Sequence, residues 1–264
     1  MLELTHDNYH SSAANMEYMS RSQYEGFVYE CEAKEMAKLT MEWVDVPTVA
    51  QEVGQYVHSW SAGTQAEFRA NHPSMFTKAN SLRSEYLLAN TMIDCLQKDP
   101  FVMAYLDGEK EKIMTAEMFG APWKIMMNVH SIVSRRIVDL ITTRSILEKV
   151  WDEAARRYVS FVELYKVPLK AAIYSEVERL AMGRASEDWS DFMLVAVSKE
   201  KYLDKSVFNM TDATRIAAEL AAVEANMPRI IALKAGLAEP VRCEKCNYCR
   251  STKVLNNVIQ YSAG

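Results

Sequence analysis

Cys243, Cys246 and Cys249 are each separated by two residues, and a fourth thiol, Cys31, lies far upstream. Three thiols at this regular spacing wrap one cofactor, and the remaining ligand is then drawn from a distant stretch of chain. That requirement constrains the fold first: whatever lies between residues 31 and 243 must come back to where it started. Three such thiols suit three corners of a cubane, whereas structural zinc more often uses two separated pairs. The spacing therefore favours a 4Fe-4S cluster on Cys31, Cys243, Cys246 and Cys249, with zinc as the alternative. With either occupant the site is expected to staple the C-terminal segment to the first helix. The fifth cysteine, Cys95, shares a helical face with Leu88 and Met92 and is expected to be a buried structural thiol.

A length of 264 residues, 49% of them hydrophobic, suits one compact domain with additions and a sizeable core. Charges interrupt every apolar run, so no membrane span is expected. Residues 1–7 lack the basic-then-apolar order of a secretion signal, which predicts a cytoplasmic protein without disulfides. The net charge of -5 argues against wholesale coating of nucleic acid, where affinity comes from neutralised phosphates. A local basic groove or a protein partner is compatible with it.

Ser20 is the expected N-cap of a helix running through Cys31 to Leu39. Pro47 and Thr48 start a second helix that Gly63 ends, and a third is expected over 82–97. The pattern then changes. Residues 112–118, 123–130 and 136–142 are short alternating or β-branched stretches punctuated by turn residues, which predicts an antiparallel meander. A long helix is expected over 154–182, kinked or divided at Pro168. Residues 192–198 read as a strand buried on both faces, 206–210 as a last strand, and Thr211 as the cap of an Ala-rich helix ending near Gly236. This order predicts an α/β fold in which a mixed central sheet is flanked by helices. One domain is expected, with a helical part over 1–105, the sheet core over 106–210, and a C-terminal helix with the cysteine run over 211–264.

Several landmarks recur in order across nearly the whole chain. They are Tyr18 to Tyr24 with Cys31-Glu32-Ala33, Val53 to His58, Met114 to Gly120, Ile137-Val138-Asp139-Leu140, Ala172-Ile173-Tyr174, and Cys243 to Lys253. With the cysteine run, they make the chain resemble the phage and prophage exodeoxyribonuclease VIII-like proteins of the PD-(D/E)XK superfamily, relatives of RecB-type nuclease domains. The resemblance implies phosphodiester hydrolysis assisted by divalent metal. It places the motif histidine on His58, an acidic position of the first meander strand on Glu117, and the metal-binding aspartate on Asn128. The Asp-x-Lys pair falls on Asp139 and Ile141, and the Gln-x-x-x-Tyr helix motif on Lys170 and Tyr174.

Two of these positions have lost their chemistry. Asn128 offers one neutral oxygen without the charge that makes a carboxylate a good ligand for magnesium. Ile141 offers nothing polar. Losing one electrostatic or acid–base group costs about 10²–10⁴ in rate, and such groups act as a unit. The implied centre is therefore vestigial, and no magnesium or manganese is expected in it. Asp139, in an apolar strand, needs a partner, whether a metal, His58 or Lys170. With Lys170 turned inward, its ammonium would take the metal's place. His130 is expected at the surface, and the pairs Arg135-Arg136 and Arg156-Arg157 as remnants of a phosphate groove or as solvated charge.

The expected function is that of a catalytically inactive nuclease homologue that acts by binding. It would inhibit or decoy a host defence or repair complex, for example a CRISPR effector. Two alternatives stand beside it: an active metal-dependent 5'-3' exodeoxyribonuclease in phage recombination, and an accessory that holds duplex DNA ends without cutting.

Overall fold

The computed structural model describes residues 2–153, 155–255, 258 and 260. The chain forms two compact units, Met1–Asp45 with Ala225–Gly264, and Val46–Glu224.

The first unit begins with α1 (Ser12–Glu17) and α2 (Arg21–Glu25). Ser20 caps α2 as expected, accepting from the Gln23 amide. The anticipated helix to Leu39 is interrupted. A single π-turn over Gly26–Glu30 follows, Cys31 is extended at φ -150°, and α3 (Glu32–Leu39) starts anew. The wide turn ends where the Cys31 amide donates to the Gly26 carbonyl, five residues back. Such bulges re-aim the residue they precede, here a thiol.

The second unit opens with α4 (Val49–Ala62), held by a Thr48–Gln51 capping box and ended by left-handed Gly63. Then come α5 (Gln65–Asn71), α6 (Leu88–Gln97) and α7 (Pro100–Tyr105). The third helix starts later than expected. Leu82 instead bridges Phe76, and Ser84–Tyr86 form a 3-10 turn.

The expected meander is present as β1 (Glu109–Met118), β2 (Ala121–Ser131) and β3 (Arg136–Thr143), paired antiparallel. The single long helix over 154–182 is not found. A hairpin of β4 (Val150–Asp152) and β5 (Arg157–Val159) stands there, with Trp151 opposite Tyr158. Ser160 and Glu163 form a capping box on α8 (Phe161–Leu164). Lys166, in the left-handed region, breaks the chain before α9 (Val167–Ala181). Pro168 sits in the first turn of α9, where its missing N–H leaves no bond unmade, so it starts the helix instead of kinking it. β6 (Asp191–Ser198) is buried from Phe192 onward, as its apolar run requires. β7 (Lys205–Asn209) precedes α10 (Ala213–Lys234). The sheet is mixed, in the order β1-β2-β3-β6-β7, with β3 and β6 parallel. This is the α/β architecture the sequence predicts.

Alternation along β2 and β3 assigns their two faces. Val129, Val138 and Leu140 join the core made with Val53 and Val57 of α4 and Met92 and Leu96 of α6. Gly54 allows this close packing, because a Cβ there would lie 2.9 Å from Thr142 Oγ1 on β3. On the other face α9 lies against β1 and β2.

The second half of α10 belongs to the first unit, which α11 (Asn247–Ser251) completes. Among the described residues, no helix is long and apolar enough to cross a membrane.

Candidate active site and metal centre

β2 and β3 are paired only at Val129↔Val138, His130↔Ile137 and Ser131↔Arg136. Beyond that point the strands part, and the backbone of β3 needs another partner. Asn128 supplies it: its Oδ1 accepts from the Leu140 amide at 3.1 Å. Its Nδ2 faces Glu111 Oε1 at 3.5 Å. Glu111, on β1, stands opposite Asn128, drops out of the ladder between Lys110 and Lys112, and has φ +50°. A glutamate in that backbone region is uncommon and strained, a feature that clusters at functional sites.

Asp139 lies on the same face and is only 5% exposed. Lys170 Nζ meets its Oδ1 at 2.6 Å. One turn further along α9, the Tyr174 ring lies 5.2 Å from the same ammonium. Lys170 therefore does turn inward. His58 on α4 is held neutral: burial drives its pKa down to about 4, against the pull of Asp139 and with the push of Lys170. Ile141 follows Asp139 by two residues, on the same strand face, and is half-buried. The structure thus gathers Asn128, Asp139, Ile141, Lys170 and Tyr174 at the parting of β2 and β3, within the field that reaches His58.

Glu117 is not brought there. It is exposed, opposite Pro122 at the turn end of β1. The acidic side chain that β1 offers is Glu111, one residue before the strand start expected at Lys112. The alternation Glu109-Lys110-Glu111-Lys112 has the pattern of solvated charge, and nothing in it announces a left-handed residue. Lys124 is a further residue that the motifs do not single out. It is buried, and desolvation lowers its pKa to about 8. Its signal in the sequence is a lysine between Trp123 and Ile125 in an apolar strand.

His130 corrects an expectation, since it is buried and not at the surface. Its Nε2 lies 3.2 Å from Glu178 Oε1, and Ser190 and Arg184 also bond that carboxylate. The pleat that turns Asn128 toward α9 turns His130 the same way. Three of the four paired arginines are held by neighbours: Arg135 by Asp188, Arg136 by the Ala104 carbonyl, and Arg157 by Glu163. Cys95 is half-buried, less enclosed than expected.

The four expected thiols meet in the first unit. Cys31, Cys243, Cys246 and Cys249 place their sulfurs within 4.8 Å of one another. Cys31 Sγ is 3.5 Å and Cys243 Sγ 4.0 Å from Cys249 Sγ. The surrounding chain is clasped. Glu32 binds Arg229 through both oxygens and accepts from the Val241 amide, while Ala33 donates to the Val241 carbonyl. Arg242 holds the Cys249 carbonyl at 2.7 Å. Backbone amides of Cys246 and Lys245 lower the Cys243 pKa to about 6, which prepares a thiolate. Burial pushes the Cys31 and Cys246 thiols the other way, and the four convergent thiols form a site able to bind metal.

The profile of a family described as a PDDEXK-like domain of unknown function (DUF3799) matches residues 20–252. The chain belongs to this family. The crystal structure of a protein named "putative exonuclease", from Eubacterium rectale, is 35% identical at a TM-score of 0.90. The match covers 98% of this chain and 97% of that one. A second solved structure, that of SSO0001, is 13% identical at a TM-score of 0.30 over 85% of this chain and 94% of that one. No curated protein matches the chain. The mixed sheet flanked by helices is thus the nuclease-like fold that the ordered landmarks implied.

Proposed function

We propose that this chain is a non-cutting member of its nuclease-like family and acts by binding. One observation carries this conclusion: the Lys170 ammonium lies 2.6 Å from Asp139, the one carboxylate kept at the centre's metal-binding motif positions. A tethered cation there neutralises the charge that would attract a divalent ion. Asn128 adds support, because its only oxygen is engaged by the Leu140 amide. Ile141 leaves no amine at the position that would assist an attacking water. The four-thiolate site serves as a staple that holds the segment after α10 against Cys31.

The partner is a protein complex of host defence or repair, such as a CRISPR effector, which the chain inhibits or decoys by imitating a nuclease domain. The net charge of -5 and the internal engagement of Arg135, Arg136 and Arg157 favour a protein over phosphate as the bound surface.

A second reading, an active exonuclease, draws on the same lysine. An amine beside Asp139, with Glu111 two strands away, supplies the residue types a relocated centre would use. Incubating the purified full chain with linear duplex DNA in magnesium or manganese separates the two. No degradation is expected. Digestion that depends on the added metal, and is abolished by Asp139→Asn, would establish the second reading.

A further inference from the structure

The β4–β5 hairpin joins β3, which carries Asp139, to α8 and α9, which carries Lys170. Its register pairs Val150 with Val159, Trp151 with Tyr158, and Asp152 with Arg157. Alternation then puts the two valines, Asp152 and Arg157 on one face and the two aromatic rings on the other. The first face is anchored. Val159 is buried, and Arg157 reaches Glu163, the capping-box residue of α8, at 2.8 Å. The second face is open: Trp151 is 44% and Tyr158 64% exposed, with their rings edge-to-face at 5.4 Å. Such a cross-strand pair steadies a two-stranded hairpin. Its outer ring faces, left in water, are also a surface on which other flat rings stack.

The charges around this face are unequal in their freedom. Residues 144–166 carry five cations and four acids. Three of the acids are engaged: Glu163 by Arg157, Glu148 by Arg144 at 3.7 Å, and Asp152 by the Ala155 amide. Glu153 is the fourth. Lys149 stands just before β4 and Arg156 just before β5, so the two cations flank the aromatic pair at opposite ends of the hairpin. Both are exposed, and among the described residues neither has an ion-pair partner. Arg156 is the one paired arginine that no described neighbour holds, and its φ of +51° fixes it at the turn. Exposed aromatic rings between free cations suit a strand whose bases are unpaired: the rings take the bases and the cations take the phosphates. A duplex, with its bases already stacked, offers this face only its backbone.

We propose that Trp151 and Tyr158, flanked by Lys149 and Arg156, form a stacking site for single-stranded nucleic acid. This contact adds to the protein partner proposed above and stands whether or not the sheet site cuts.

The test is fluorescence anisotropy of a labelled oligothymidine of about 20 nucleotides, long enough for one such site. The full chain is titrated at low salt without added divalent metal, so that no cutting consumes the probe. Saturable binding is expected, tighter than to a blunt duplex of the same length. Trp151→Leu, which keeps apolar bulk but no ring, should weaken it by about ten-fold. Trp151→Phe should stay close to the unmodified chain. Lys149→Gln and Arg156→Gln should each lower the slope of log affinity against log salt by about 0.7. Melting curves check that the variants are folded, and if Trp151→Leu is not, the two exposed-cation variants still decide. No saturable binding overturns the inference and leaves the aromatic face to a protein. So does equal affinity for the duplex, or binding that Trp151→Leu and both cation variants leave unchanged.

Discussion

Asn128→Asp, Ile141→Lys and Lys170→Gln, made together, are expected to produce magnesium-dependent degradation of linear duplex DNA where the unmodified chain shows none. The first change restores a charged ligand, and its carboxylate can still accept from the Leu140 amide as Asn128 does. The second places an amine beside the attacked phosphate. The third removes the ammonium from Asp139. None is expected to suffice alone, because such groups act as a unit. Together they should raise turnover by at least about 10²-fold over background, the effect of one well-placed catalytic group. The triple variant also sets a new carboxylate near Glu111 and Asp139, so without metal it should melt lower, and magnesium should restore it through mass action. A folded, magnesium-binding triple variant without activity would show that cutting was lost for a reason outside these three positions.

Lys170→Met is expected to destabilise the chain by about 3 kcal/mol, because it leaves the Asp139 carboxylate buried without its counter-charge. That is the low end for a broken buried pair, since Lys170 keeps 21% of its side-chain surface in solvent. In a unit of this size the melting temperature should fall by roughly 6–12 °C. Asp139→Asn on the Lys170→Met background should recover most of the loss, since no charge is then left buried. Denaturant unfolding of the two single variants and the double variant closes the cycle. A Lys170→Met variant within about 0.5 kcal/mol of the unmodified chain would mean that water already screens the pair.

The sequence carried the sheet clearly. The meander and the buried strand over Phe192–Ser198 are present, because each rests on a local pattern with one physical solution, and the thiol run meets distant Cys31 as its spacing requires. The helix expected over 154–182 failed because apolar spacing alone cannot separate a hairpin plus two helices from one helix. Ser160 with Glu163 was a start signal within that stretch, and Pro168 a first-turn residue. At the candidate site, residue types were legible but positions were not. Asn128 and Ile141 announced what was missing. The inward turn of Lys170 could be posed as a question but not answered from spacing. Glu111 was hidden because its backbone conformation, and not its side chain, sets it apart. His130 was misplaced because one polar residue on a strand face says nothing of Glu178 far along the chain. The cysteine spacing called for convergence with Cys31, which the structure shows, but spacing along the chain does not name the occupant.

Manganese binding to the unmodified chain, measured by calorimetric titration with the cysteine site as isolated, tests the closed centre most directly. No bound ion is expected up to millimolar manganese, and Lys170→Gln should acquire one. A single manganese bound by the unmodified chain and lost in Asp139→Asn would contradict a centre occupied by its own lysine.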